Sequence, residues 1–302
     1  MALKKLIITI LLLATSNVYA GSTDWLEFEI YNGLMLIDVE IAGIPTKAML
    51  DTGASIVGID IDFLEKNKIN YKKGRKIILQ GIFGEKRTKL IKEIDVSLYD
   101  VNFPLKNVVP INSGDAYQMI IGLPFFKDMI FQIDYPNSRF KMITRDSVDM
   151  KQVANVEMQH GNNKRSLVIT ANLEDGENLD LLFDTGSSSG LYLERKFAAR
   201  RGWIEKYSKA SGETSGIVET IENEILVLPK LKLGPYTLEN VIVTVPAQDR
   251  PTNISSQASR AELGTRLSKG VSTIGILGYD VLKHFVITLD ARTARMHVYA
   301  AE

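Results

Sequence analysis

Asp51-Thr52-Gly53 and Asp184-Thr185-Gly186 are the segments of this 302-residue chain best suited to chemistry. Each ends an apolar run, Ala48-Met49-Leu50 before the first and Leu181-Leu182-Phe183 before the second. A single Asp-Thr-Gly reads as a turn, because Asp and Thr make local side-chain hydrogen bonds and Gly accepts positive φ. Two copies have a chance expectation on the order of 0.002 at average residue usage, so a shared purpose is the better account. A strand that delivers a carboxylate into a tight loop needs Gly there, to remove the side chain that would crowd it, and backbone N–H groups to bond its oxygens. Thr supplies a hydroxyl and a backbone that can tie two such loops together across a pseudo-twofold axis. Asp51 and Asp184 would then stand face to face, as paired carboxylates able to do acid–base work.

Positioning such a pair requires two copies of one unit, and the sequence contains them. Met35, Ile37, Val39 and Ile41 alternate with Asp38 and Glu40, the period-two pattern of a half-buried strand. A turn at Ala42 to Pro45 and a return strand from Thr46 to Leu50 lead into Asp51. In the second half, Leu167, Ile169, Ala171 and Leu173 alternate in the same way, Glu174-Asp175-Gly176 turns the chain, and Leu179 to Phe183 leads into Asp184. Short helices are expected at Asp62–Lys66 and Lys196–Arg200. Met119-Ile120-Ile121-Gly122 parallels Gly275-Ile276-Leu277-Gly278, and each leads to a closing hairpin, with Asp134 and Arg139 in one and Asp290 and Arg295 in the other expected to stabilise the turns. The polar stretch from Asp146 to Asn163 separates the halves, giving lobes 21–150 and 151–302. The second half also carries a polar insertion from Ala247 to Gly270 that the first lacks.

In these paired triplets and the later Ile120-Ile121-Gly122 and Ile276-Leu277-Gly278 segments, the chain resembles the retropepsin and pepsin clan of aspartic peptidases. The resemblance covers nearly all of the chain beyond residue 20, and the compact halves look more like fused retropepsin units than like a full eukaryotic pepsin. It implies an all-β, bilobal acid-protease fold of two pseudo-twofold-related, six-stranded-type half-barrels with short helices. It further implies an endopeptidase whose catalytic Asp51 and Asp184 share one proton and a water, supported by a loop of Thr52, Gly53, Ala54, Thr185, Gly186 and Ser187. The pair needs no cofactor and no metal. A hairpin flap over the cleft is implied as well, with Gly81, Ile82, Phe83 and Gly84 at its tip and Ser215 and Gly216 as a weaker counterpart. The residue after the triplet is Ala54 in one copy and Ser187 in the other. Only the serine could add a hydroxyl bond to an ionised carboxylate, which points to a pH optimum above the strongly acidic range.

The remaining features bound the reading. The chain is 45% hydrophobic with 24% charged residues and no net charge, so no basic surplus points to nucleic acid. With no cysteine, disulfides, thiol nucleophiles and thiolate zinc sites are excluded, and three scattered histidines offer no metal-ligand spacing. Lys4 and Lys5 before the apolar run Leu6–Ala14 read as a signal peptide over residues 1–20, cleaved after Ala20, which predicts an exported, periplasmic or secreted protein. No later stretch is long and apolar enough to span a membrane, and Gly21 to Phe28 is expected to add an outer strand. Gly186-Ser187-Ser188-Ser189-Gly190 formally spells a serine-hydrolase elbow, but that motif belongs between strand and helix. The expected partner is a peptide or protein substrate, bound by a monomer with a single-chain dyad. Two alternatives stand beside it: a catalytically silent peptide-binding or scaffold protein that retains the bilobal cleft, and lobes that pair with their equivalents in a second molecule.

Overall fold

The computed structural model describes residues 21–81, 84–99, 101–161, 164–215, 220–250, 252, 254, 271 and 273–300. The expected signal peptide, the flap-tip residues Ile82, Phe83 and Gly216, and most of the 247–270 insertion lie outside these residues.

The first lobe is built from β1 (Leu26–Glu27), β2 (Glu29–Tyr31), β3 (Leu34–Ile41), β4 (Ile44–Asp51), β5 (Val57–Asp60), β6 (Lys73–Gly81), β7 (Gly84–Leu98), β8 (Val101–Ile111), β9 (Met119–Gly122), β10 (Ile130–Asp134) and β11 (Arg139–Ile143). The second contains β12 (Met158–His160), β13 (Leu167–Asn172), β14 (Asn178–Phe183), β15 (Leu191–Leu193), β16 (Ser208–Ser215), β17 (Thr220–Leu233), β18 (Tyr236–Pro246), β19 (Gly275–Leu277), β20 (Phe285–Asp290) and β21 (Arg295–Ala300). From β2 onward, each strand of the first lobe has its counterpart ten strands later. The sheet orders match: β2-β3-β4-β9-β5-β8-β7-β6 in one lobe and β12-β13-β14-β19-β15-β18-β17-β16 in the other. An additional β3–β7 pairing closes six of the first set into a barrel, and β13–β17 does the same for the second. The fold is the bilobal, all-β one that the resemblance implied.

Strand β3 keeps the expected alternation, with Ile37, Val39 and Ile41 inside and Asp38 and Glu40 outside. In β13 the outward residues Val168 and Thr170 are buried too, so this strand is covered on both faces rather than half-buried. Short helices form at Ile61–Lys66 and Arg195–Arg200, the first capped by the Asp60 carboxylate accepting from the Phe63 N–H. Such a cap satisfies one of the donors that every helix leaves unpaired. A second short helix, Trp203–Tyr207, follows only in the second lobe.

The closing hairpins do more than close their own lobes. β10 and β20 pair antiparallel, Phe131 opposite Leu289 and Ile133 opposite Ile287, making a five-stranded sheet β1-β11-β10-β20-β21 between the barrels. Its inward residues join the one large apolar core that runs through both lobes, with Phe131, Phe140, Phe285 and Met296 at most 1% exposed. Gly21 to Phe28 supplies β1 on one edge, paired to β11. On the other edge Val156 bridges Met296, and Asn155 bonds Val298 through both its side-chain nitrogen and oxygen. Asp134 pairs with Arg139 at 2.8 Å, as expected. Asp290 stabilises its turn as expected, accepting from the N–H groups of Arg292 and Thr293, and forms its ion pair, at 2.6 Å, with Arg145 of the other lobe. Among the described residues, no helix is long and apolar enough to cross a membrane.

Candidate active site

Strands β4 and β14 end at the lobe interface, each flanked by a parallel neighbour, β9 or β19. Leu50 and Phe183 point into the barrel core, so the residue after each, Asp51 at the end of β4 or Asp184 just past β14, faces the other way. The loops that follow cross the interface and lock together. The Thr52 N–H donates to Thr185 Oγ1 at 3.0 Å, and the Thr185 N–H donates to Thr52 Oγ1 at 3.1 Å. Each hydroxyl then donates to the far strand, Thr52 to the Phe183 carbonyl at 3.0 Å and Thr185 to the Leu50 carbonyl at 2.8 Å. Both threonines are at most 1% exposed, so this ring of four bonds works without competition from water.

The ring holds the carboxylates together. A Cβ on Gly53 would fall 2.4 Å from Asp184 Cγ, and one on Gly186 would fall 2.5 Å from Asp51 Cγ. Each triplet's glycine thus makes room for the carboxylate of the opposite lobe, a sharper requirement than relief of local crowding. Each loop is also braced from behind, where Leu123 N–H donates to the Ala54 carbonyl at 2.7 Å and Tyr279 N–H to the Ser187 carbonyl at 2.8 Å. The glycines before those donors, Gly122 and Gly278, let the loop carbonyls approach within 2.2 and 2.5 Å of where a Cβ would sit.

Asp51 and Asp184 are 9% and 7% exposed. Burial pushes the Asp51 carboxyl above the ordinary range, while a bond from Asp184 and the N–H groups of Ala54 and Gly53 pull it back. Asp184 stands well above that range, first through burial and then through the charge of Asp51 and the bond it gives to Asp51. Both carboxyls are thus raised by burial and linked through each other, and the pair titrates as one unit. The Ala54 N–H donates to Asp51 Oδ1 at 2.9 Å and the Gly186 N–H to Asp184 Oδ1 at 2.8 Å. The Ser187 hydroxyl makes no bond to Asp184; its N–H bonds the Asp184 carbonyl instead, so the expected difference between Ala54 and Ser187 does not arise through that hydroxyl. Gly186 to Gly190 runs into β15 rather than a helix, so no nucleophile elbow is built.

Strands β6 and β7 form a hairpin whose last described pair is Gly81 and Gly84, and β16 and β17 form one ending at Ser215 and Thr220. Both lobes thus carry a hairpin of flap length. The first packs Leu79 and Leu90 against Met49 and Ile120, beside Ala54 and Ile56 of the dyad loop. Two neighbours of the carboxylates were not singled out in the sequence. Tyr117 lies under the first hairpin, and burial together with the Asp51 charge pushes its phenol up to about 12. Tyr135 is buried against Phe28 and Tyr279, close enough to Asp184 for that charge to raise it further. Tyr117 lies outside the matched segments, and Tyr135 stands in the repeated closing hairpin where the other half has Ala291, so repetition does not mark either one.

Two protein-family models match the chain. One, described as gag-polyprotein putative aspartyl protease, matches residues 37–128, and one described as aspartyl protease matches residues 169–281. No curated protein matches it.

Proposed function

We propose that this chain, built from two retropepsin-like aspartyl protease domains and thus a member of the aspartyl proteases through both lobes, is a single-chain aspartic endopeptidase with Asp51 and Asp184 as its catalytic pair. The observation that carries the reading is the reciprocal approach of each carboxylate to the other lobe's triplet glycine, within 2.4 and 2.5 Å of a Cβ position. Two carboxyls so close hold one proton between them. The ionised member of the pair takes a proton from a water placed between the two as that water attacks the scissile carbonyl. The protonated member donates its proton to the carbonyl oxygen, so charge does not build on the tetrahedral intermediate. Collapse of that intermediate returns a proton to the leaving nitrogen. An extended peptide lies under the two hairpins, which bond its backbone and exclude water.

The reading includes export with loss of residues 1–20, and a monomer as the working species. Residues 21–302 would be incubated with a diverse peptide library from about pH 3 to 8, beside Asp51→Asn and Asp184→Asn proteins. Cleavage that falls by about 10²-fold or more in both variants supports one shared dyad. A folded wild type that binds peptides but cuts none at any pH would leave the silent binding module as the better account.

A further inference from the structure

We propose that the two walls beside the dyad take side chains of different size: a bulky apolar one against the first lobe and a small one against the second, with Tyr192 setting the limit. The inference rests on the peptidase reading. Side chains alternate along a strand, so Met49 shares the face of Asp51, and Leu182 shares the face of Asp184. Cross-strand register extends each position into a row. In the first lobe the row is Leu36, Met49, Ile120 and Gly58, across β3, β4, β9 and β5. In the second it is Val168, Leu182, Ile276 and Tyr192, across β13, β14, β19 and β15. The rows match in kind until the last position, where glycine on one side faces a full phenol on the other.

The surroundings differ accordingly. In the first lobe the row is equally buried, but partly exposed apolar residues, Ala54, Ile56 and Tyr117 among them, pack on its cluster, so apolar surface extends from that wall to the dyad loop. Ile111 covers Gly58, its side chain 3.0 Å from where a Cβ would sit. In the second lobe, Tyr192, Leu182 and Ile276 cluster with Ile221 of the β17 hairpin strand and with Ile254, all at most 4% exposed, and among the described residues no partly exposed apolar side chain joins them. That wall is already filled. The Tyr192 hydroxyl lies 2.8 Å from the Asn223 side-chain amide on β17. Turned so that its oxygen accepts from Thr214, that amide donates to the phenol, which pins the second hairpin to the wall. The substrate class that fits is an extended peptide with a large apolar side chain on one side of the scissile bond and Gly, Ala or Ser on the other.

The test is a peptide library varied in side-chain size at the two positions flanking the cut, read by cleavage with wild type and by binding with the Asp184→Asn protein, which needs no turnover. The expected result is restriction to small residues at one position only. Tyr192→Gly should raise use of bulky residues there by about 10-fold or more, Tyr192→Phe should keep the restriction, and Tyr192→Leu should relax it part of the way. The leucine variant keeps the wall apolar and serves if the glycine variant does not fold. Equal tolerance at both positions in wild type, or a restriction unchanged by the leucine and glycine substitutions, overturns the proposal. Size-restricted binding without any cleavage would sink the peptidase reading and leave this one standing.

Discussion

Asp184 carries its proton to higher pH than an ordinary carboxylate, because burial and the Asp51 charge both oppose ionisation. The folded state therefore binds a proton that the unfolded state has already released, and stability contributed by this group falls as pH rises through the folded-state value. Asp184→Asn should melt close to wild type at pH 3 and above it at pH 7, and a gap that shrinks toward neutrality would contradict this account. The upward displacement of both carboxyls moves the singly protonated dyad away from strong acid, so activity should peak above about pH 3 and fall on the alkaline side as the pair loses its shared proton. The threonine ring offers a sharper probe. Thr52→Val keeps the shape but strands the buried Thr185 N–H and Phe183 carbonyl, at about 1–3 kcal/mol for each group left unpaired. Thr52→Ser keeps both bonds and should stay near wild type in denaturant unfolding.

At the scale of elements, the pairing of the closing hairpins decides how rigidly the dyad is held. Arg145 reaches from the end of the first hairpin to Asp290 in the second through Nη1, and its Nη2 donates to the Lys127 carbonyl. Burial raises the Asp290 carboxyl, but Arg145 and Thr293 outweigh it and hold it below the ordinary range. Its stabilising contribution is thus present above the unfolded carboxylate's range and lost as pH falls. Arg145→Met should cost about 1–3 kcal/mol at neutral pH, discounted for the quarter of the arginine side chain that stays exposed, and less in acid; unfolding curves at the two pH values would show it. The strands flanking each triplet, the short helices and the hairpin pair were legible because period-two alternation and internal repetition are local signals. The bond between β10 and β20 was not, since Phe131 and Leu289 are 158 positions apart and carry no mark of each other. For the same reason the turn role of Asp290 was legible, while its ion pair with Arg145, 145 positions away, was not. Gly58 and Tyr192 gained meaning only once register set them in equivalent places.

At the scale of the molecule, one chain supplies both triplets, both barrels and every strand of the central sheet, so activity should elute at the mass of a single chain. An active species only at twice that mass would favour pairing between molecules instead. The central sheet also has a consequence in time. Its first strand lies at Leu26–Glu27, its middle joins residues 131 and 289, and its last strand ends at Ala300. Contacts this distant along the chain are made late in folding, after their loop-closure cost has been met. A chain emerging from its N-terminus would present Asp51 long before it could present a partner for it, and a chain halted before β20 would hold both aspartates with no spine to align them. Truncation after Lys283 should therefore leave two barrels' worth of sequence without peptidase activity. On the proposed reading, competence arrives only once β20 has paired with β10, long after both triplets have been made.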